Sequence, residues 1–178
     1  MSYRRSSGAG GWFIGGCVLC VPLLAMVVTR FVMEIGFDQD VGGRLKRAAD
    51  ANSIEMAKTE LTAALEGMNR RGCTTGRSHV LWYTPDCDVT FWHNNVKSAL
   101  DELRAFPTDA DPLTVSNQLM KLRETLLDDD SEGVEVTLPP NIVVYPSQVA
   151  WCMGFWVTGI MATAGAVCLV IASAKAGH

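Results

Sequence analysis

GWFIGGCVLCVPLLAMVVT occupies Gly11–Thr29, and VAWCMGFWVTGIMATAGAVCLVIAS occupies Val149–Ser173. Neither run contains Asp, Glu, Lys, Arg or His. As helices rising about 1.5 Å per residue, both are long enough to cross a hydrocarbon core of roughly 30 Å. All nineteen Asp and Glu residues of the 178-residue chain lie between them, from Glu34 to Glu135. The expected fold is therefore mostly α. Transmembrane helices over residues 11–33 and 149–173 bracket an extracytoplasmic helical domain over 34–148, with cytoplasmic tails at 1–10 and 174–178.

The orientation rests on basic flanks. Arg4 and Arg5 precede the first run and Lys175 follows the second; Lys and Arg favour the cytoplasmic side. Arg44, Lys46 and Arg47 also lie near a span but are preceded by Glu34, Asp38 and Asp40. The membrane expected is a bacterial inner membrane or an equivalent, with 34–148 periplasmic or luminal. The first run is read as an uncleaved anchor. Its apolar stretch is long for a signal peptide, and it exits as Val28-Thr29-Arg30-Phe31 without a small-x-small cleavage pair.

Charge and span composition narrow the function. The middle segment carries eleven Lys/Arg against the nineteen acids, a net of −8, so no basic patch for nucleic acid is present. Transport and proton relay normally use ionisable groups inside the membrane, and these runs have none. Small residues are frequent instead. Gly11 and Gly15 form one small-x-x-x-small pair; Thr158, Ala162 and Ala166 form a stripe at four-residue spacing. Such faces let helix backbones approach closely in lipid, either with each other or with further subunits. Pro22 should kink the first span or mark a packed neighbour.

In the middle segment, Ile54, Ala57, Leu61, Ala64 and Met68 step by three and four, predicting a helix over Leu45–Met68. Gly42-Gly43 predicts a hinge, a kink or a fresh start before it, with Asp40 as a cap. Arg70-Arg71-Gly72 predicts its end. A second helix is expected over Asp88–Phe106. A third starts at Asp111-Pro112 and stops where the three acids Asp128 to Asp130 oppose its macrodipole. Val134 to Pro146 reads as an extended strap returning to the second span, with edges that want a partner. The domain is thus a three-helix, bundle-like unit with a strap.

Candidate chemistry is sparse. Cys73 and Cys87 flank the loop between the first two helices, and outside the cytoplasm they suit a disulfide closing a loop of roughly 15 residues, worth about 3 kcal/mol. The same thiols with His79 and His93 spell a Cys₂His₂ set, although the spacing fits no tight zinc knuckle; two unconnected thiols are the third reading. Cys17-x-x-Cys20 lies in an apolar span, where cysteine acts as a small hydrophobe. Asp128-x-Asp130-x-Glu132-Gly133 opens like a calcium loop, but Pro139 stands where a bidentate glutamate should close it. It reads as a solvated acidic turn. Trp82, Tyr83, Phe91 and Trp92 gather around one loop and helix start, either as a local core or as a recognition surface.

No nucleophile–base constellation, phosphate loop or resident cofactor is indicated, so the chain is not expected to be an enzyme. The expected function is a non-catalytic integral membrane subunit or scaffold, an accessory subunit that packs with other membrane protein subunits, copies of itself and lipid. The alternative is a small-ligand sensor or regulator using residues 81–93.

Overall fold

The computed structural model describes residues 7–130 and 133–176. Arg4, Arg5 and Glu132, invoked for topology and the acidic turn, lie outside the described residues, as do parts of both tails. The described chain is mostly helical and contains two helices long and apolar enough to cross a membrane. These are α1 (Ser7–Phe37) and α6 (Gln148–Ala176). The chain divides into two compact units, Met1–Val32 with Val149–His178, and Met33–Gln148.

In the first unit the long helices meet along a seam of small residues. A Cβ on Gly16 would come within 2.8 Å of the Gly165 carbonyl oxygen, and one on Gly165 within 2.8 Å of the Gly16 oxygen. Further along, Cys20 Sγ lies 4.0 Å from the Ala162 oxygen, Thr158 Oγ1 lies 3.4 Å from Met26 Sδ, and Gly154 abuts Met26. Numbers rise on one helix as they fall on the other, so the pair is antiparallel. Glycine is required at 16 and 165 because backbone touches backbone there. Thr158 and Ala162 thus lie on the seam. A Cβ on Gly11 or Gly15 would meet nothing within 4 Å, and Ala166 is exposed. The glycine face that meets α6 is that of Gly16, one residue beyond the Gly11/Gly15 pair. α1 runs through Pro22 without a break.

In the second unit, α1 runs into a π turn at Asp38–Gly42 and then α2 (Gly43–Ala49). Gly42-Gly43 therefore marks a wide turn within continuous helix, not an ordinary helix start. A Cβ on Gly42 would meet Asp38 Oδ1 at 2.7 Å. Asp40 does not cap; its carboxylate takes two hydrogen bonds from Arg71, at 3.1 and 2.7 Å. The helix expected over Leu45–Met68 is split. α2 ends at Ala49, and α3 (Ile54–Arg71) starts afresh because the Ser53 hydroxyl accepts the Met56 N–H at 3.3 Å.

Beyond the split the periodic stripe behaves as predicted. Ala57, Leu61, Ala64 and Met68 are fully buried. They pack with Val41, Leu45 and Ala48 from the preceding turns and with Leu100 and Leu103 of α4 (Val89–Ala105) in one core. Gly72, at φ 73°, closes α3 by letting the Cys73 N–H reach the Met68 carbonyl at 2.9 Å. Asp88 caps α4 through the Phe91 N–H at 3.0 Å. Asp111 caps α5 (Pro112–Leu126) through the Leu113 and Thr114 N–H groups at 3.0 and 3.1 Å.

The strap differs from its expected form. α5 passes directly into β1 (Leu127–Asp130), which pairs antiparallel with β2 (Gly133–Val136) in the register Leu127↔Val136, Asp128↔Glu135. The edge of β2 is thus satisfied locally by a hairpin. Farther on, Ile142–Val144 form a 3₁₀ turn with Ile142 and Val144 buried. Tyr145 Oη donates to the Thr75 carbonyl, and Gln148 Nε2 donates to the Arg77 carbonyl at 2.9 Å. The return segment is therefore fastened to the loop after α3.

Candidate functional site: an aromatic and acidic cleft

The loop between α3 and α4 is held by its own backbone. Ser78 N–H donates to the Cys87 carbonyl at 3.0 Å, Val89 N–H to the Gly76 carbonyl at 3.0 Å, and Gly76 N–H to Thr90 Oγ1 at 2.9 Å. Pro85–Cys87 make a 3₁₀ turn that ends at the Asp88 cap. The residues between these ties are pushed outward. Val80, Leu81, Trp82 and Tyr83 are all exposed, Trp82 at 71%.

Below this loop lies a cleft of about 420 Å³. Tyr83, Phe91 and Trp92 supply its aromatic faces. Asp86, Asp88 and Asp128 supply carboxylates, Asn95, Thr125 and Thr137 neutral polar groups, and Leu138 and Pro139 an apolar edge. Three of the four aromatics singled out in the sequence therefore come together. Trp82 does not line the cleft and instead stacks on His79, with ring centroids 6.4 Å apart. Trp92 is the fixed wall: it is 7% exposed, and its Nε1–H donates to the Thr137 carbonyl at 2.9 Å. Phe91, one residue earlier, is 70% exposed. Trp92 thus belongs both to the core and to the cleft. Trp92→Phe keeps an aromatic side chain, though a smaller one, but strands that carbonyl, and should cost about 1–2 kcal/mol; thermal unfolding monitored by circular dichroism in detergent micelles checks this.

The acidic side of the cleft carries no local signal in the sequence. Asp88 was legible as a helix start, but Asp128 arrives from the hairpin, some forty residues later in the chain. No local pattern connects the two.

Cys73 and Cys87 are both buried, and all six cysteines are free thiols. The bond suggested by their spacing is not formed in this structure. Cys73 lies 3.9 Å from the Arg71 carbonyl oxygen, whereas Cys87 Sγ lies 3.1 Å from Thr84 Oγ1. Burial pushes the Cys73 thiol up to about 11, so almost none is thiolate at neutral pH. Maleimide labelling should spare both in the folded protein and reach both in denaturant without reductant; failure to label in denaturant would reveal a disulfide. Among the described residues no three His, Cys, Asp or Glu side chains come together as metal ligands, so the Cys73, His79, Cys87, His93 set is not assembled. His93 is held below its usual range by burial, which favours neutral imidazole.

No family model, curated protein or solved structure matches this chain.

Proposed function

We propose that this protein is a non-catalytic integral membrane subunit or scaffold. In this reading α1 and α6 span the membrane, both termini are cytoplasmic, and residues 34–148 form a helical domain on the outer face. The observation that carries it is the exposed run Val80-Leu81-Trp82-Tyr83, flanked in space by Phe91 outside the apolar spans. Exposed apolar surface of this kind marks contact sites, and Trp and Tyr are favoured where partners bury surface. The seam between α1 and α6 leaves Gly11, Gly15 and Ala166 uncovered, which supports further packing with other membrane subunits or a second copy.

Native migration after mild-detergent extraction from the source membrane, with mass spectrometry of the co-migrating band, tests the proposal. A large band with constant companions is expected. Trp82→Ser, exposed and outside the core, should remove companions held by the loop; Gly15→Leu should remove those held by the spans. A band at one chain mass with no companion would overturn the proposal.

The cleft favours a second reading, a small-ligand sensor or regulator. It joins the aromatic loop to polar groups in a volume within the usual range for ligand pockets.

A further inference from the structure

We infer that the cleft beneath the α3–α4 loop binds a small organic cation, an alkylammonium or a guanidinium. The inference rests on the ligand-regulator reading and adds the chemical class of the ligand.

Charge is the first reason. Asp86, Asp88 and Asp128 line the cleft, and no Lys, Arg or His is among its described lining residues. Some carboxylates elsewhere in the domain have found cations, as Asp40 has Arg71, Asp50 has Arg123, Glu60 has Arg44 and Arg47, and Glu102 has Lys121. Others, such as Glu66 and Glu124, stand alone among the described residues; in the cleft three acids gather with no cation between them. Among the described residues none of the three cleft carboxylates forms an ion pair. Asp88 spends one oxygen on its helix cap. Asp128 stands in register opposite Glu135, a like-charge cross-strand pair that is unfavourable unless a cation offsets it.

The aromatic faces are the second reason. Cations sit over the faces of Trp, Tyr and Phe, most favourably Trp. The chain already does this at the edge of the site, where the Arg77 guanidinium lies 4.2 Å from the Tyr83 ring centroid. Phe91 and Trp92 remain, the second locked in place by Thr137. A rigid ring loses little freedom on binding, which helps affinity.

The third reason separates an organic cation from a metal ion. A metal needs ligand atoms converging on one point at short distance. The acidic side chains here do not converge in that way. Carboxylates spread around an aromatic-walled space suit a diffuse charge on an apolar body.

The test uses the full chain in maltoside micelles, whose head groups carry no cation. Choline and agmatine serve as ammonium and guanidinium probes, and 3,3-dimethyl-1-butanol as the uncharged isostere of choline. Binding is read from the Trp92 indole N–H resonance, assigned by its loss in Trp92→Phe. At least one cation should shift that resonance saturably and, for choline, about tenfold more tightly than the alcohol does. The double variant Asp86→Asn/Asp128→Asn should weaken the bound cation about tenfold, since it removes two nearby charges, yet melt as the parent does. If the alcohol binds as tightly, or the double variant binds the cation unchanged, the cation assignment is wrong while a ligand cleft remains. Should no probe move the Trp92 resonance, the cation assignment fails. The ligand-regulator reading, which names no ligand class, is overturned separately if Trp92→Phe and Asp86→Asn/Asp128→Asn leave every response of the protein in its source membrane unchanged.

Discussion

Gly67→Val should destabilise the domain by more than about 3 kcal/mol, beyond the usual cost of overpacking a core. A Cβ at position 67 would lie 2.5 Å from the Asp40 carbonyl oxygen, 3.2 Å from its carbonyl carbon and 3.1 Å from Val41 Cγ2. Two of those three atoms are backbone of the π turn and cannot swing aside. Glycine inside a helix normally costs about 1 kcal/mol against alanine. Gly67→Ala should therefore stabilise if propensity governed the site, and should destabilise if the close approach does. We expect a loss of about 1–3 kcal/mol for alanine and a larger one for valine. Thermal unfolding of the three proteins side by side decides it, and a raised midpoint for Gly67→Ala would refute the contact.

The same crossing carries an acid-sensitive tie. The Arg71 hydrogen bond holds the Asp40 carboxyl below its ordinary 3.8. Its stabilising effect is thus present above pH 3.8 and is lost as pH falls through the lower folded-state value. Because Asp40 is 42% exposed, water and salt screen the pair, and the effect should be small beside that of Gly67.

Arg44→Ala/Arg47→Ala is the second large effect. Glu60 is only 7% exposed, and its two oxygens are held by Arg44 at 3.0 Å and Arg47 at 2.5 Å. Removing both guanidinium groups leaves a buried carboxylate without a partner, a change worth about 3–5 kcal/mol when a pair is fully buried. Both arginines are partly exposed, at 41% and 69%. Water can therefore reach the vacated space, and about 3 kcal/mol is the appropriate expectation. The reverse deletion is milder. In Glu60→Leu the two arginines rehydrate and the buried position gains apolar packing, so the loss should be about 1 kcal/mol or less. Denaturant unfolding in micelles measures the order. If Glu60→Leu proves the more damaging, the cluster works by attraction alone and burial of the carboxylate is irrelevant.

Much of the packed unit could be read in advance, for reasons visible in single residues. Ala57, Leu61, Ala64 and Met68 share one face at helical spacing, and all four are buried. Asp88, Asp111 and Gly72 act through groups within a few residues of themselves, so local sequence sufficed. The failures are non-local or turn on competition. Ser53 takes the Met56 N–H and restarts a helix whose apolar stripe ran on without interruption. Asp40 had a cap's spelling but was claimed by Arg71, thirty-one residues away. Val134 to Val136 pair with Leu127 to Asp129, an acidic segment whose own residues spell only a solvated turn. The same hairpin brought Asp128 to the aromatic cleft. In the spans, composition showed that small residues would matter, but only the packed pair reveals that Gly16 meets Gly165 while Gly11 and Gly15 face outward.

The π turn at Asp38–Gly42 has a consequence for how this sequence can change over generations. Each residue of an ordinary helix turns its successors by about 100°, and a wide turn absorbs one extra residue. Losing a single residue between Asp38 and Gly42 would let the turn relax to regular helix. Because the wide turn has already absorbed that residue, Leu45 would stay buried and Arg44 and Arg47 would stay beside Glu60. Gaining a residue there has no such slack and would bring Arg44 to the place where Leu45 is buried. Descendants of this sequence should therefore tolerate exchanges of residue type at the exposed positions of the turn, such as Gln39, and the loss of one residue, while insertions there are purged.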